Sequence, residues 1–422
     1  MQELKGKRML LMSGSTAARE IVNEAHRMGI AVYATDYYTT SPVKEISDKS
    51  FMVSTADVDA IAALCRDEKI DGIFSGYTDS VLPYMQQVAE KLSIPFWGTA
   101  ENIRMSINKE LFKSACEQSN VPVVPWKKVT LADYKTTLAN IHLPIVFKPV
   151  DNSGSRGVFK CFQKEDILPL CEKSFEFSQS KELLVERLMN AHNEFSVYYI
   201  MNHGNIYLTG MGDRYVYEIS PDVAPVGQGM RFPSIRLDQW ISEMDPVMKQ
   251  FFRANDMNNG FVFVQGFHED GRFYIHEIGY RLNGGFSFKL VEHFCGYNQM
   301  QQLIRFSMTG SMEDTEIQKS NPYFHGGVGM ILTATLRKGK VSAIEGLDAI
   351  RNLSNVIECY QLIEMGTEII SQGTTAEVFA YFILAASTKK TLIMTIHQIK
   401  SMLEVRDEHG QSMLHPMLNS QN

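Results

Sequence analysis

The sequence predicts an α/β protein of two or three domains that opens on a parallel sheet covered by helices on both faces. Three observations carry this. Over the first hundred residues, short apolar runs alternate with amphipathic stretches in β-α-β-α order, the pattern of a parallel sheet. A length of 422 residues exceeds what one core usually fills. A composition of 44% hydrophobic and 21% charged residues is that of a packed globular chain.

Arg8 to Met12 reads as the first strand, and Ser13-Gly14-Ser15 as the turn that closes it. The amphipathic stretch Ala17 to Met28 is a helix ended by Gly29, a C-cap signal, and Ile30 to Ala34 is a strand leading to Asp36. Ala60 to Glu68 and Val81 to Leu92 read as helices around the strand Gly72 to Ser75. Ser13-Gly14-Ser15 with Asp36 on the next strand is an incomplete dinucleotide fingerprint. A tight turn in a scaffold or substrate-facing domain is the other reading of the same residues. One helix is expected from about Asn102 to Ser119, closed by Val121-Pro122. Strands are expected at Leu143 to Val150, Glu182 to Glu186, Phe195 to Met201, Phe261 to His268 and Phe273 to Ile278, and a strand-turn-strand at Met330 to Ile344. No long Pro/Ser linker separates the parts, so they are expected to pack closely.

Bulk properties narrow the function. A net charge of −7 argues against a non-specific nucleic-acid binder, which needs a basic face. Cys65, Cys116, Cys161, Cys171, Cys295 and Cys359 are scattered, without CxxC or zinc spacing, as expected of thiols in a reducing compartment. The opening MQELKGKRMLLM turns polar without a signal-peptide core, and the longest apolar run, Val378 to Ala386, is short of a membrane span. A cytoplasmic, soluble protein with no membrane partner is expected.

Two segments carry chemistry. In PIVFKPVDNSGSRG, Lys148 ends an apolar strand and Ser153, Gly154, Ser155 and Gly157 follow within ten residues. Small residues let backbone N–H groups converge on phosphate oxygens, with Lys148 adding charge. A β-turn after an edge strand, with Lys148 merely exposed, fits the same residues. In QGFHEDGRFYIHEIGYRLNGG, Glu269-Asp270-Gly271 is a hairpin turn signal. It pairs two strands that bring Gln265 and Glu277 together and lead into Arg281. Two oxygen ligands on adjacent strands suit Mg²⁺, and an Arg beside them could stabilise developing charge; a surface hairpin with solvated polar tips is the alternative. His268 and His276 lack zinc spacing and are expected to be structural or solvent-facing.

The order of these elements resembles the ATP-grasp superfamily over nearly the whole chain. It is most similar to the branch of carbamoyl-phosphate synthase large chains, biotin carboxylase and bacterial L-amino-acid ligases. Asn108-Lys109 resembles the first nucleotide lysine, Lys148 the second, and Ser153 to Gly157 the flexible phosphate-covering loop. LLVERLMNAHNEFSV resembles the interdomain hinge, where Glu186 and the Arg187 and Leu188 backbone would face adenine and Glu194 the ribose. Gln265 and Glu277 fall at the metal positions and Arg281 at the reaction-centre arginine. One departure stands out: Gly279 occupies the place of the family's metal-binding Asn, for which Asn283 or water could substitute.

The resemblance implies a Rossmann-like pre-ATP-grasp domain over 1–100. It implies an ATP-grasp domain over 101–325, with a phosphate-loop subdomain at about 126–185, and a small α+β C-terminal domain over 326–422. It also implies ATP with Mg²⁺, or Mn²⁺, as cofactors. The implied activity is phosphorylation of a small carboxylate and its coupling to an amine, with release of ADP and phosphate. Bicarbonate or sugar-amine chemistry, or nucleotide binding without turnover, are the alternatives, and a homodimer is the commonest assembly of such enzymes. Gly212 to Val216 and the Gly/Pro-rich loop Pro221 to Pro233 are expected to border the acceptor pocket. Arg214 or Arg231 there would fork onto a substrate carboxylate, or else form ordinary ion pairs.

Overall fold

The computed structural model describes residues 2–151, 157–219 and 225–418. Four parallel strands, β1 (Arg8–Leu11), β2 (Ala31–Asp36), β3 (Lys49–Met52) and β4 (Gly72–Phe74), form the first sheet in the order β3-β2-β1-β4. Helix Arg19–Arg27 joins β1 to β2, Val58–Asp67 joins β3 to β4, and Leu82–Leu92 follows β4, an alternating order of the kind the sequence predicts. Asp36 is not available to a ribose. Its carboxylate accepts from Ser41 Oγ and the Tyr38 N–H, both at 2.7 Å, and pairs with Lys44 at 2.9 Å. These bonds, within the loop that follows the strand, are those of a structural turn residue.

The single helix expected from Asn102 to Ser119 is two, Ala100–Ile107 and Lys109–Gln118. Asn108 breaks it: its backbone is extended and its side chain accepts the Leu111 N–H at 3.0 Å. Asn is a strong N-cap and a poor interior residue, and here it starts the second helix so that Lys109 stands at its first turn.

A small antiparallel sheet follows: β5 (Trp126–Thr130), β6 (Ile145–Pro149), β7 (Phe159–Cys161) and β8 (Glu182–Arg187), ordered β5-β8-β6-β7. It has its own apolar core around Phe147, Cys171 and Val185. The largest sheet has eight antiparallel strands. They are β9 (Glu194–Asn202), β10 (Asn205–Tyr217), β11 (Val226–Phe232), β12 (Gly260–Glu269), β13 (Arg272–Gly279), β14 (Val328–Thr335), β16 (Val356–Gln361) and β18 (Val378–Ala386). Strands β15 (Gly339–Glu345), β17 (Glu368–Ile369) and β19 (Glu404–Asp407) make a three-stranded sheet beside it. The large sheet runs β13-β12-β9-β10-β11-β14-β18-β16, so it passes without interruption across residues 325–326.

The loop expected at Pro221 to Pro233 is a strand over most of its described length, because β11 pairs with β10 and with β14. Gly227 and Gly229 disguised it; Gly229 stands at φ +155°, where a Cβ would run into the Ile331 carbonyl. The β12–β13 turn is a tight hairpin, with Asp270 at φ 52° and Gly271 at φ 72°, as a primed turn requires.

One apolar core spans the parallel sheet and strands β9 and β12. Polar ties reinforce it: Trp97 Nε1 donates to the Tyr280 carbonyl at 3.0 Å, and Lys289 Nζ lies 2.9 Å from Glu20 and 3.1 Å from Glu24. These contacts tie the segment after the third helix to the exit of β13, and the first helix to Lys289. Among the described residues no helix is long and apolar enough to cross a membrane.

Candidate active site

Glu186 ends the outward run of β8 and is 1% exposed. Lys148, on the paired strand β6, donates to its Oε2 at 2.6 Å, and Lys113 Nζ lies 2.9 Å from its Oε1. Burial pushes the Glu186 pKa up, but Lys148 and then Lys113 overcome that and hold it at about 2. Lys113 is fully buried on the helix behind, and also donates to the Val124 carbonyl at 3.1 Å. One carboxylate thus fixes two ammonium groups, and Lys148 keeps donors for a second anion at the cavity wall.

Past Glu186 the chain turns. The Arg187 N–H donates to the Pro125 carbonyl at 3.0 Å and the Leu188 N–H to the Pro144 carbonyl at 3.1 Å. Both N–H groups are therefore engaged by the fold, while Arg187 and Leu188 still border the cavity beside Glu186. The Arg187 guanidinium lies over the Tyr274 ring and 3.4 Å from Glu269.

Glu194 opens β9, buried, with Arg214 Nη1 at 2.6 and 2.7 Å from its two oxygens. Burial raises its pKa, and Arg214 and then His276 bring it down to about 2. The residue expected to bind ribose is thus in a tight ion pair that faces the same space.

The β12–β13 pair carries an irregularity that decides which side chains meet. Gln265 opposes Glu277 while the next residue, Gly266, opposes Ile275, so His276 is an extra residue in a β-bulge. Bulges re-aim side chains, and here His276 and Glu277, consecutive in the chain, both face the cavities. His276 stacks on Phe267 at 5.0 Å, lies 3.9 Å from Glu194, and its Nε2 is buried without a hydrogen-bond partner. It is packed against Phe267 and Glu194 rather than solvent-facing; a period-2 strand pattern hides its approach to the cavity because the bulge breaks the period.

Glu277 forms no ion pair among the described residues, and the Gln265 amide nitrogen lies 3.4 Å from Ser196 Oγ, leaving the amide oxygen for the cavity. Two hard oxygen donors on adjacent strands fit Mg²⁺, which takes few protein ligands alongside phosphate and water. Among the described residues no cluster of three or more His, Cys, Asp or Glu is placed to hold a metal alone. Gly279 opposes Phe263 across the ladder, and a Cβ at 279 would sit on the Phe263 ring. The ring fills the space a side chain at 279 would take, and the Arg281 guanidinium lies over it at 5.1 Å. Asn283 accepts from Ser287 Oγ at 2.7 Å and lines a neighbouring cavity.

Arg281 donates from Nε to Asp79 Oδ1 at 2.6 Å, from its second prong to Oδ2, and from Nη1 to the Leu282 carbonyl at 2.9 Å. Asp79 follows β4, at the carboxyl end of the parallel sheet, where open α/β sheets place ligands.

Three cavities meet here. One of about 630 Å³ is bounded by Val146, Lys148, Glu186, Leu188, Glu194 and His276. A second, of about 680 Å³, is bounded by Asn108, Lys109, Gln265, Glu277, Arg281 and Asp79. A third, of about 330 Å³, is bounded by Arg214, Tyr198, Asn283, Thr333, Glu377 and Tyr381. Gln265 borders all three, and Arg281 the last two.

No model of a known protein family matches the chain. By sequence it is similar to the formate-dependent phosphoribosylglycinamide formyltransferase of Methanocaldococcus jannaschii, 27% identical over 207 residues, which are 46% of this chain and 51% of that protein. The chain spans about half the length of the curated relatives it matches. By structure it is similar to the L-amino acid ligase of Bacillus licheniformis, with a TM-score of 0.79 at 16% identity over 96% of this chain and 99% of that one. It is also similar to biotin carboxylase of Campylobacter jejuni in a complex with ATP, with a TM-score of 0.75 at 15% identity over 98% and 94%.

The chain has the ATP-grasp fold.

Within this ATP-grasp fold, Lys109, Lys148, Glu186, Glu194, Gln265, Glu277 and Arg281 border one connected space. Gly157 is buried beside it, φ +77°, its carbonyl accepting from Ser174 Oγ at 2.7 Å. Ser153, Gly154 and Ser155, like Pro221 to Ala224, lie outside the described residues. Arg214 borders the third cavity, whereas Arg231 points away, bound to Asp213 at 2.9 Å beside a separate hollow. Sequence reading missed Lys113, Asp79 and Glu377. Only Lys113 left a trace, as a lysine on the apolar face between Phe112 and Cys116.

Proposed function

We propose that this chain is an ATP-dependent ligase that activates a small carboxylate as an acyl phosphate and couples it to an amine. The observation that carries this is the meeting of three cavities at Gln265, with lysines on two of them and Arg281 between the second and third. The nucleotide would lie from Glu186 towards Lys109. Lys109 and Lys148 would neutralise the phosphates, and Glu277 and Gln265 would hold Mg²⁺, which when bound supplies further charge neutralisation. A carboxylate oxygen attacks the γ-phosphorus as the bond to ADP breaks, a reaction governed by positioning and electrostatics. The amine nitrogen then attacks the acyl carbon, sheds a proton, and phosphate departs. Arg281, on the wall between phosphates and acceptor, stabilises the oxyanion. Its similarity to an L-amino acid ligase and to a formate-dependent phosphoribosylglycinamide formyltransferase supports this class.

A panel of carboxylates with ATP, Mg²⁺ and hydroxylamine tests the reading. Carboxylate-dependent hydroxamate and ADP, lost in Lys148→Ala, are expected. One observation favours a second reading, nucleotide binding without turnover: Phe263 fills the space of a metal ligand at 279. ATP bound tightly with no carboxylate-dependent ADP would select it.

A further inference from the structure

One buried group at this centre has no role in the chemistry above. Glu377 closes the short turn Thr375–Glu377 ahead of β18, and its carbonyl accepts the Leu336 N–H at 2.9 Å, which pins it beside β14. Its side chain is 1% exposed and borders the acceptor cavity. Oε1 accepts the Gly373 N–H at 3.1 Å, while Oε2 is buried with no hydrogen-bond partner among the described residues.

The contrast with its neighbours is informative. Glu186 and Glu194 are as deeply buried, yet each is matched by lysine or arginine and stays ionised, at about 2. For Glu377, burial raises the pKa to about 7; the N–H groups of Gly373 and Thr374 oppose it, and no cation does. The other charged or titratable groups on this cavity are Arg214, Arg281, Tyr198 and Tyr381. Arg214 is bound to Glu194 and Arg281 to Asp79. His415, from the C-terminal segment, bonds Gln372 at 3.2 Å instead. A buried carboxylate without a counter-ion must take up a proton or a cationic ligand.

The same cavity offers the complement of a zwitterion. Arg281 borders both it and the phosphate cavity, so the carboxylate to be activated belongs on that side. Glu377 borders the acceptor cavity and not the other two. We propose that Glu377 binds the ammonium group of an amino-acid substrate whose carboxylate faces Arg281. The fate of that carboxylate rests on the ligase reading; the binding does not.

Calorimetry on the full chain with a non-hydrolysable ATP analogue tests this, using matched pairs: the twenty common amino acids against desamino acids such as propionate for alanine and glutarate for glutamate. A charge-assisted hydrogen bond to the ammonium predicts that at least one amino acid binds roughly 10- to 100-fold tighter than its desamino partner. In Glu377→Gln that ratio is expected to fall to near one, with affinity for the ATP analogue unchanged. At pH 7, binding to the native protein should release protons, since the ammonium displaces one from Glu377, and the variant should release none. If no amino acid is preferred, or if the variant keeps the preference, the proposal is overturned. Should Glu377→Gln fail to melt cooperatively, Glu377→Asp replaces it, with a weakened preference expected and an unchanged one counting against. Amino-acid binding without ADP release would leave this site standing and remove the ligase reading.

Discussion

Arg281 and Asp79, 202 residues apart in the chain, face each other in a two-pronged ion pair with Nε 2.6 Å from Oδ1. The pair fixes the guanidinium plane, so the parallel-sheet domain sets the aim of an arginine borne by the ATP-grasp hairpin. Asp79→Asn keeps the shape and removes the charge. The expected outcome is a loss of about 10- to 100-fold in carboxylate-dependent kcat, smaller than the 10²–10³-fold typical of deleting an oxyanion donor. The Kd for ADP should not change. Hydroxamate kinetics beside an ADP titration check both.

Glu186 bridges Lys113 and Lys148, and replacing it leaves the Lys113 ammonium buried without a counter-ion. Glu186→Gln is expected to destabilise the fold by about 3–5 kcal/mol, as for other broken buried pairs, measured by urea unfolding at pH 7.

The pH dependence has a definite sign. The folded pKa of Glu186 is depressed, from an ordinary 4.5 to about 2. Its stabilisation is therefore complete above the unfolded value and is lost as pH falls from there through the folded one. Acid unfolding of the native protein should be steeper between about pH 4.5 and 2 than that of Glu186→Gln; parallel curves would contradict the pairing.

Gly279 and Phe263 compete for one space. Gly279→Ala should cost about 1–3 kcal/mol, as overpacking does. Adding Phe263→Leu should recover part of it, a non-additivity expected of residues in contact. Thermal melts of the two single variants and the double variant measure the coupling.

His276 projects from a bulge with its Nε2 unsatisfied. If it meets the nucleotide there, His276→Ala should weaken ATP binding by roughly 5- to 10-fold, the worth of one hydrogen bond. Equilibrium titration with a fluorescent ATP analogue reads this; an unchanged Kd would assign the residue to packing against Phe267.

The sequence made the parallel sheet and the β12–β13 hairpin legible because each follows a local period and a local turn rule. Lys109, Lys148, Glu186, Gln265, Glu277 and Arg281 were legible by their order along the chain. Other features depend on contacts that no local pattern records. Asn108 could have continued a helix; its side chain chose to cap one. Glycines at 227 and 229 read as loop until β10 and β14 paired on either side of them. His276 faces the cavity because one extra residue shifts the register. Asp79 and Glu377 acquire meaning only through partners, or their absence, far away in sequence.

The eight-stranded sheet has a practical consequence for anyone wishing to trim the protein. Cutting after residue 325 would keep every side chain proposed for the nucleotide and the reaction centre, from Lys109 to Arg281. It would also strip β14 from β11 and leave a raw sheet edge. Such an edge recruits other chains, so the fragment is expected to aggregate rather than act as a minimal enzyme.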